Sequence, residues 1–170
     1  ETFIRERPQA AEAGTHFSVV SGGPTGPVTN EDYVGSLIRF ANGARGTLEV
    51  CRVMAGAECE HSFEVNGTRG AARWEFERMN ELQLFLDDAN PEQPGYTTVA
   101  TRPEHPFHAS FNPGPAVGLG YEDLMTIEMH EFLAGVREGK DVEPDFQHIA
   151  RVAAVQAAMA RSWETRSWES

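Results

Sequence analysis

Basic residues are scarce in this sequence: 14 lysines and arginines stand against 26 aspartates and glutamates, for a formal net charge of −12. A chain of this charge repels a phosphate backbone, and no basic cluster offsets the repulsion locally, so we expect no nucleic-acid partner. Long apolar runs are missing too, since none approaches the roughly 20 residues that cross a bilayer. We therefore expect no membrane insertion.

Cysteine is also rare, with Cys51 and Cys59 the two in the chain. They are neither spaced as a Cys-x-x-Cys pair nor numerous enough for a disulfide scaffold, which favours reduced thiols and a cytoplasmic location. The first residue is Glu1, and no charged and then apolar signal segment follows it. We expect the 170 residues to be one domain of a longer polypeptide.

Alternating apolar and polar residues dominate the sequence after a Gly/Pro-rich lead-in at residues 1–30. The clearest case is a hairpin whose turn is Asn42-Gly43, because these residues tolerate the backbone angles of tight hairpins. Strands are predicted at residues 33–40, 46–53, 61–66, 71–76, 82–86 and 97–101. Their short connections make the sheet mainly antiparallel. One further strand is expected near residues 16–20.

Two helical patterns follow the last of these strands. The first runs from Tyr121 to Val136 with Gly139 as its C-terminal cap, and the second opens at Glu143-Pro144-Asp145. An apolar stripe on the second helix is predicted to be buried, and it consists of Phe146, Ile149, Val152, Ala153, Ala157, Ala160 and Trp163. The predicted fold is α+β: a mixed, mainly antiparallel open sheet of about six or more strands with helices packed on one face.

The other face of the predicted sheet is left uncovered although it carries apolar side chains. They belong to Tyr33, Leu37, Cys51, Val53 and Phe85. Because an exposed apolar sheet face usually meets a partner, we predict a homo-oligomer that assembles through this face. The alternative is that the lead-in at residues 1–30 folds over it.

Several short segments follow one another in a distinctive order. They are Asp32-Tyr33, Leu37-Ile38-Arg39-Phe40, Asn42-Gly43-Ala44-Arg45-Gly46-Thr47-Leu48-Glu49, Phe63-Glu64-Val65-Asn66-Gly67-Thr68-Arg69-Gly70-Ala71, Glu77-Arg78-Met79-Asn80-Glu81-Leu82, Gly118-Leu119-Gly120-Tyr121-Glu122-Asp123 and Pro144-Asp145-Phe146. Each is a generic turn or cap by itself. In this succession, over residues 28–162, they resemble the C-terminal domain of the glucose-fructose oxidoreductase/inositol dehydrogenase family of NAD(P)-dependent oxidoreductases.

The resemblance implies a parent protein with two domains. Residues 1–30 would be a lead-in within the same domain as residues 31–170, the sheet domain, and an N-terminal Rossmann domain that binds NAD or NADP would lie outside the chain and be its partner. The family's lysine, in a Glu-Lys-Pro motif, has no match, since the single lysine is Lys140 in a helix-end turn. The family's catalytic histidine has none either. The resemblance therefore implies no catalytic residue and no cofactor site in this chain.

A loop at residues 103–113 is the best candidate for contact with a substrate, because it gathers two histidines, an amide and two aromatic rings. Sugar hydroxyls need hydrogen-bond donors and acceptors beside an apolar platform, and this loop offers both. We predict that His108, Asn112 and Phe111 bind the substrate. The alternative is a merely solvated loop.

Two arginines are further substrate-binding candidates, because a guanidinium offers directional donors. They are Arg52, at the end of a predicted strand, and Arg78, beside Asn80; surface salt bridges are the alternative for both. His105 and His108 have a spacing that would also suit zinc. A third ligand is not evident, and we predict no metal site.

The leading hypothesis is a substrate-binding and oligomerisation domain of an NAD(P)-dependent dehydrogenase that acts on a small molecule, a sugar, a polyol or a related compound. As an isolated fragment it would not be catalytic. One alternative is a non-catalytic family relative that senses a sugar or nucleotide as a regulator, and another is a stand-alone sheet binding module. The residues upstream discriminate between them, because only the dehydrogenase needs the lysine and the histidine.

Overall fold

A computed structural model of the chain describes residues 1–9, 22–87, 92 and 95–170. The strand expected near residues 16–20 lies outside this part of the chain. The described residues form two compact units, Glu1–Ala57 and Glu58–Ser170. They contain eight strands and two α-helices, which confirms the α+β class and the antiparallel pairing. The division into residues 1–30 and 31–170 stays a prediction.

The first unit consists, in its described residues, of two antiparallel two-stranded sheets, β1 with β2 and β3 with β4. The strands are β1 (Glu6–Pro8), β2 (Thr25–Pro27), β3 (Tyr33–Arg39) and β4 (Arg45–Cys51). In the turn between β3 and β4 the Ala44 N–H donates to Asn42 Oδ1 at 3.0 Å, so the asparagine side chain closes the turn. The hairpin predicted around Asn42-Gly43 is confirmed.

Asp32, just before β3, anchors the start of the chain. Its side chain is buried, with the residue 2% exposed, and its Oδ2 accepts the backbone N–H groups of Phe3 and Ile4, both at 2.7 Å. Oδ1 forms an ion pair with Arg7. A buried carboxylate is stable only when paired and hydrogen-bonded, and here both oxygens are.

The second unit carries a four-stranded antiparallel sheet in the order β5-β6-β7-β8, within its described residues. Its elements are β5 (Ser62–Gly67), β6 (Gly70–Glu75), β7 (Glu81–Leu86), β8 (Thr97–Ala100), α1 (Tyr121–Glu138) and α2 (Phe146–Thr165). A short 3₁₀ turn at Phe76–Arg78 connects β6 to β7. A second, at His108–Ser110, lies in the long connection between β8 and α1.

Capping residues mark the start of both α-helices and the end of α1. At the start of α1 the Gly120 N–H donates to Asp123 Oδ2 at 2.8 Å, and at the start of α2 Asp145 Oδ1 accepts the His148 N–H at 2.7 Å. Gly139 caps the C-terminus of α1, as predicted. In the described ranges, neither helix is long and apolar enough to cross a membrane.

The apolar stripe of α2 is exposed, so the prediction that it is buried is wrong for this chain. Phe146 is 95% exposed and Trp163 is 49% exposed. Extensive contacts between elements of the described chain join strand to strand, while the helices share few with the strands. The 3.6-residue period identifies an apolar face, but it does not say whether the same chain supplies the cover.

Candidate functional site

A row of four side chains across the sheet of the second unit forms the floor of an open pocket of about 520 Å³. Phe63 on β5 pairs with Trp74 on β6, Trp74 with Leu82 on β7, and Leu82 with Val99 on β8. Directly paired residues of antiparallel strands project to the same face, so the register alone assembles this floor. All four residues line the pocket.

The aromatic part of the floor has its polar atom already satisfied. The centroids of the Phe63 and Trp74 rings are 5.9 Å apart, and Trp74 Nε1 donates to the backbone oxygen of Met79 at 2.9 Å. The indole is therefore held in place through its N–H, and its ring contributes apolar surface to the pocket. Such a surface suits the C–H face of a sugar ring.

Polar side chains border the floor at the end where β7 begins and β8 ends. They belong to Asn80, Glu81, Thr101, His105 and His108. The hydroxyl oxygen of Thr101 is buried and has no hydrogen-bond partner among the described residues. Thr101 lines the pocket, so its side chain is one of the polar groups that border the floor.

The two histidines present opposite hydrogen-bonding characters to a ligand. His108 Nδ1 lies 2.9 Å from the backbone oxygen of Pro106, and a carbonyl can only accept, so Nδ1 of the neutral ring carries the proton and Nε2 is an acceptor. His105 Nδ1 accepts the backbone N–H of Arg102 at 3.2 Å, so in its neutral ring the proton is on Nε2. One imidazole can accept from a ligand while the other donates.

Asn80 joins the sheet to the loop that bears the histidines. Its backbone oxygen accepts the Thr101 N–H at 3.1 Å. Its side chain pairs with both backbone groups of Leu119: Oδ1 accepts the N–H at 2.7 Å, and Nδ2 donates to the oxygen at 2.9 Å. Leu119 is the one apolar residue in the described part of the chain that counts as buried.

The three predicted loop residues lie close together in the chain, and one of the three lines the pocket. His108 is that residue, while Phe111 and Asn112 do not line the pocket and donate their backbone N–H groups to its backbone oxygen at 3.0 and 2.8 Å. Asn112 is buried, and its Nδ2 has no partner in the described chain. Their substrate-binding roles stay predictions.

The two predicted arginines lie in different units. Arg78 borders the pocket indirectly, because it forms a 2.6 Å ion pair with Glu81, which lines it. Arg52 belongs to the first unit, where it is exposed and its backbone N–H donates to the Asp32 oxygen at 3.0 Å. The structure brings Arg78 close to the predicted loop's pocket; the role of each guanidinium stays a prediction.

Glu77 fixes the segment that leads into β5 and so into Phe63. Its Oε1 accepts the backbone N–H groups of Cys59 and Glu58, both at 2.8 Å. These hydrogen bonds, that of Cys59 first, hold the pKa of the Glu77 carboxyl below its ordinary value. The carboxylate is thus kept charged next to the backbone that it orders.

Within the described part of the chain, the pocket has neither a set of metal ligands nor a lysine that could transfer a proton. Lys140 lies beyond α1, where its Nζ is 3.1 Å from Glu138 Oε2. No set of three or more histidine, cysteine, aspartate or glutamate side chains comes together among the described residues in a way that could bind a metal ion.

A sequence profile described as "Oxidoreductase family, C-terminal alpha/beta domain" matches residues 5–169, nearly the whole chain. The chain belongs to the glucose-fructose oxidoreductase/inositol dehydrogenase family. This assignment confirms the resemblance carried by the ordered segments from Asp32 to Phe146. It also identifies the matched region as the family's C-terminal domain.

One relative within the family is a levoglucosan dehydrogenase. A levoglucosan dehydrogenase of Pseudarthrobacter phenanthrenivorans is 37% identical over 169 residues, which make up 98% of this chain and 43% of the relative. The chain thus spans less than half the length of the relative. The larger part of such a protein lies outside the residues described above.

Solved structures of levoglucosan dehydrogenase share the fold. The apo form has a TM-score of 0.87 at 36% identity, and it covers 99% of this chain and 43% of its own. A complex with NADH and levoglucosan has a TM-score of 0.81 at 38% identity, with 85% of this chain and 39% of the other covered. The second of these structures holds NADH together with levoglucosan.

Of the predicted loop residues, His108 lines the pocket, while the residues of its floor were not predicted. Phe63, Trp74, Asn80 and Thr101 were not predicted as site residues. The alternation of β6 placed Trp74 on one face of its strand, and strand register would have aligned it with Phe63. No local signal links Asn80 to Leu119, which lies 39 residues away.

Proposed function

We propose that this family member is the substrate-binding domain of an NAD(P)-dependent dehydrogenase that oxidises a neutral sugar or polyol. The observation that carries the proposal is the pocket on the second unit, where an aromatic and aliphatic floor meets Thr101, His105 and His108. Carbohydrate sites combine these two elements, because a sugar ring has an apolar C–H face and a rim of hydroxyls. The levoglucosan dehydrogenases among the relatives support the same substrate class.

The charges around the pocket favour an uncharged substrate. Its one lining carboxylate, Glu81, is paired with Arg78, and no lysine or arginine is among the described residues that line it. Phosphate and carboxylate groups of ligands are usually held by arginine or lysine. We therefore propose a neutral sugar, for which levoglucosan is the first compound to test, over a sugar phosphate or a sugar acid.

The chain would contribute binding and orientation, and the rest of the protein the redox chemistry. NAD or NADP would be held by an upstream Rossmann domain and would accept a hydride from a carbinol carbon, while the hydroxyl proton passes to a base of that domain. Within this chain, Trp74 and Leu82 would support the ring, and His108 would accept a hydrogen bond from a substrate hydroxyl. Without the upstream domain the fragment would be inactive.

The test uses the full-length protein with NAD and with NADP, and it follows the formation of reduced nucleotide spectroscopically. We expect turnover of levoglucosan or another neutral sugar and none of the matched sugar phosphate or uronic acid. The upstream sequence should contain a glycine-rich strand-to-helix turn and a Glu-Lys-Pro motif. Saturable sugar binding without turnover, together with absence of that lysine, would favour the regulator over the dehydrogenase.

We also propose that the protein assembles as a homo-oligomer through exposed sheet surface. Leu37, on the predicted interface face of β3, is 72% exposed. β5 is an edge strand of its sheet and all six of its residues are exposed. Apolar residues at an uncovered face or edge are common where sheets meet a second copy.

Sedimentation of the full-length protein tests the assembly. Leu37→Lys places a charge on the uncovered face of β3 and is expected to shift the protein towards monomer. Thr68→Lys, in the exposed turn between β5 and β6, is the matched control and should leave the mass unchanged. A wild-type protein that remains monomeric at high concentration would refute the interface.

A further inference from the structure

We propose that Asn80 is a positioning residue of the sugar site, a clamp that sets where His105 and His108 lie. The proposal rests on the function proposed for the pocket. Asn80 contacts the two ends of the loop between β8 and α1: its backbone oxygen accepts the N–H of Thr101, and its side-chain amide pairs with Leu119. One residue thus closes a loop that bears both histidines.

The amide of Asn80 acts as a substitute for a strand. Asparagine has an acceptor oxygen and a donor nitrogen at a spacing that matches a backbone C=O and N–H pair. Here Oδ1 and Nδ2 meet the Leu119 N–H and oxygen at 2.7 and 2.9 Å. Both bonds form to a part-buried partner, where a hydrogen bond to backbone is less exposed to competition from water.

Close approach at Gly118 makes this pairing possible. A Cβ atom at residue 118 would lie 2.3 Å from Cγ and from Nδ2 of Asn80, which is far inside van der Waals contact. The nearest three atoms to that position all belong to the Asn80 side chain. Glycine at 118 and asparagine at 80 are therefore complementary, and a side chain at 118 must displace the amide.

Backbone hydrogen bonds link both histidines to the Thr101 end of the loop. The His105 N–H donates to Arg102 at 3.0 Å and the His108 N–H donates to His105 at 3.1 Å. Towards the far end, the Ala116 N–H donates to Thr101 at 2.7 Å. Because the Ala116 bond ties the segment before Leu119 to this same end of the loop, we expect release of Leu119 to loosen the turns that place the imidazoles.

The first experiment compares Asn80→Ala and Asn80→Asp in the full-length dehydrogenase. Alanine removes both side-chain bonds, and aspartate keeps the acceptor for the Leu119 N–H. We expect Asn80→Ala to raise KM for the sugar about tenfold, because displaced imidazoles would lose about one well-placed hydrogen bond to the sugar. The value of kcat should change less. Asn80→Asp should raise KM less than Asn80→Ala does. Hydrogen exchange of peptides from residues 101–119 should be slowest in the wild type, faster in Asn80→Asp and fastest in Asn80→Ala.

The second experiment is a double-mutant cycle between residues 80 and 118. Gly118→Ala should reproduce the rise in KM, because its Cβ displaces the amide. In Asn80→Ala/Gly118→Ala the clashing side chain is gone, so the second substitution should add little to the first. Gly114→Ala is the matched control in the same loop, since a Cβ there meets nothing within 4 Å, and it should change neither KM nor exchange.

The outcomes separate this proposal from the one on which it rests. If His108→Phe raises KM while Asn80→Ala leaves KM and loop exchange unchanged, the clamp is wrong and the sugar site stands. If Asn80→Ala mobilises the loop but neither variant changes KM, the pocket is not the sugar site and the proposed role of Asn80 in it fails as well. Additive effects at residues 80 and 118 would also overturn the clamp.

Discussion

The imidazole rings of His105 and His108 meet edge to face, with centroids 5.5 Å apart and an interplanar angle of 87°. Their backbone partners give them opposite roles, His105 as a donor and His108 as an acceptor. Two adjacent hydroxyls of a sugar could satisfy both rings at once. The pair is therefore expected to recognise a diol and not a single hydroxyl.

Replacement of either histidine by phenylalanine keeps an aromatic ring and removes its hydrogen bond. We expect His105→Phe and His108→Phe each to raise KM for the sugar by about threefold to tenfold in the full-length protein. Removal of one hydroxyl of the diol from the substrate should raise KM less in the variant than in the wild type. His148→Phe, on exposed α2, is the control. An equal rise in KM for the analogue in the wild type and in every variant would contradict diol recognition.

Trp74 should contribute through its ring more than through its N–H. Trp74→Phe retains an aromatic floor but leaves the Met79 oxygen without its 2.9 Å donor. Trp74→Ala removes the floor as well, and it also removes ring contacts with Phe63 and Phe76. We expect KM to rise about tenfold for alanine and by less than about threefold for phenylalanine, since aromatic contacts contribute roughly 0.5–1.5 kcal/mol beyond their buried area.

Steady-state kinetics with the neutral sugar and a melting curve for each variant check this order. The melting curves identify any rise in KM that follows from partial unfolding. Equal KM values for alanine and phenylalanine at position 74 would show that the ring face does not contact the sugar.

The turn after α1 depends on a glycine that faces Val142. A Cβ at Gly135 would lie 2.3 Å from Val142 Cγ2 and 3.0 Å from the Lys140 oxygen. Gly135→Ala is expected to destabilise this turn by roughly 1–3 kcal/mol, the usual effect of overpacking. Hydrogen exchange of residues 131–145 in the full-length protein measures the effect. Val142→Ala in the same protein should relieve part of it, and no relief would place the strain at Lys140.

The fold was predictable where the pattern is local. Alternation and the Asn42-Gly43 turn identify the β3–β4 hairpin, and the capping residues Asp145 and Gly139 mark ends of the helices. Burial was less predictable. Phe146 belongs to a clear apolar stripe and is nevertheless 95% exposed, because periodicity reports the face of a helix and not the element that covers it.

The histidine-bearing loop of the candidate site could be recognised in the sequence. The contacts that bring this loop to the floor of the pocket could not. A loop rich in histidine and amide groups can be recognised in sequence, and His108 does line the pocket. The floor depends on the register that aligns Phe63 with Trp74, and the clamp depends on Asn80 meeting Leu119. Relationships of this kind arise from strand pairing and loop closure, which leave no mark in a short window of sequence.

Asp32 makes the anchoring of the first strand sensitive to acid. The N–H of Ile4, helped by the N–H of Phe3 and the charges of Arg7 and Arg52, holds the pKa of the Asp32 carboxyl below its ordinary value of 3.8, against the opposing effect of burial. A carboxyl whose pKa is lower in the folded state stabilises the fold above its unfolded pKa. That stabilisation is lost as the pH falls below 3.8 and through the folded pKa.

Asp32→Asn should therefore weaken the anchoring at neutral pH and flatten its response to acid. The measurement is the hydrogen exchange of residues 1–8 in the full-length protein between about pH 2 and about pH 5, corrected for intrinsic rates. Protection in the wild type should fall as the carboxyl is protonated, and protection in the variant should start lower and change less. Glu31→Gln removes a neighbouring exposed charge and should behave like the wild type. An equally steep fall in Asp32→Asn would assign the acid response to another group, because asparagine has no proton to gain in this range.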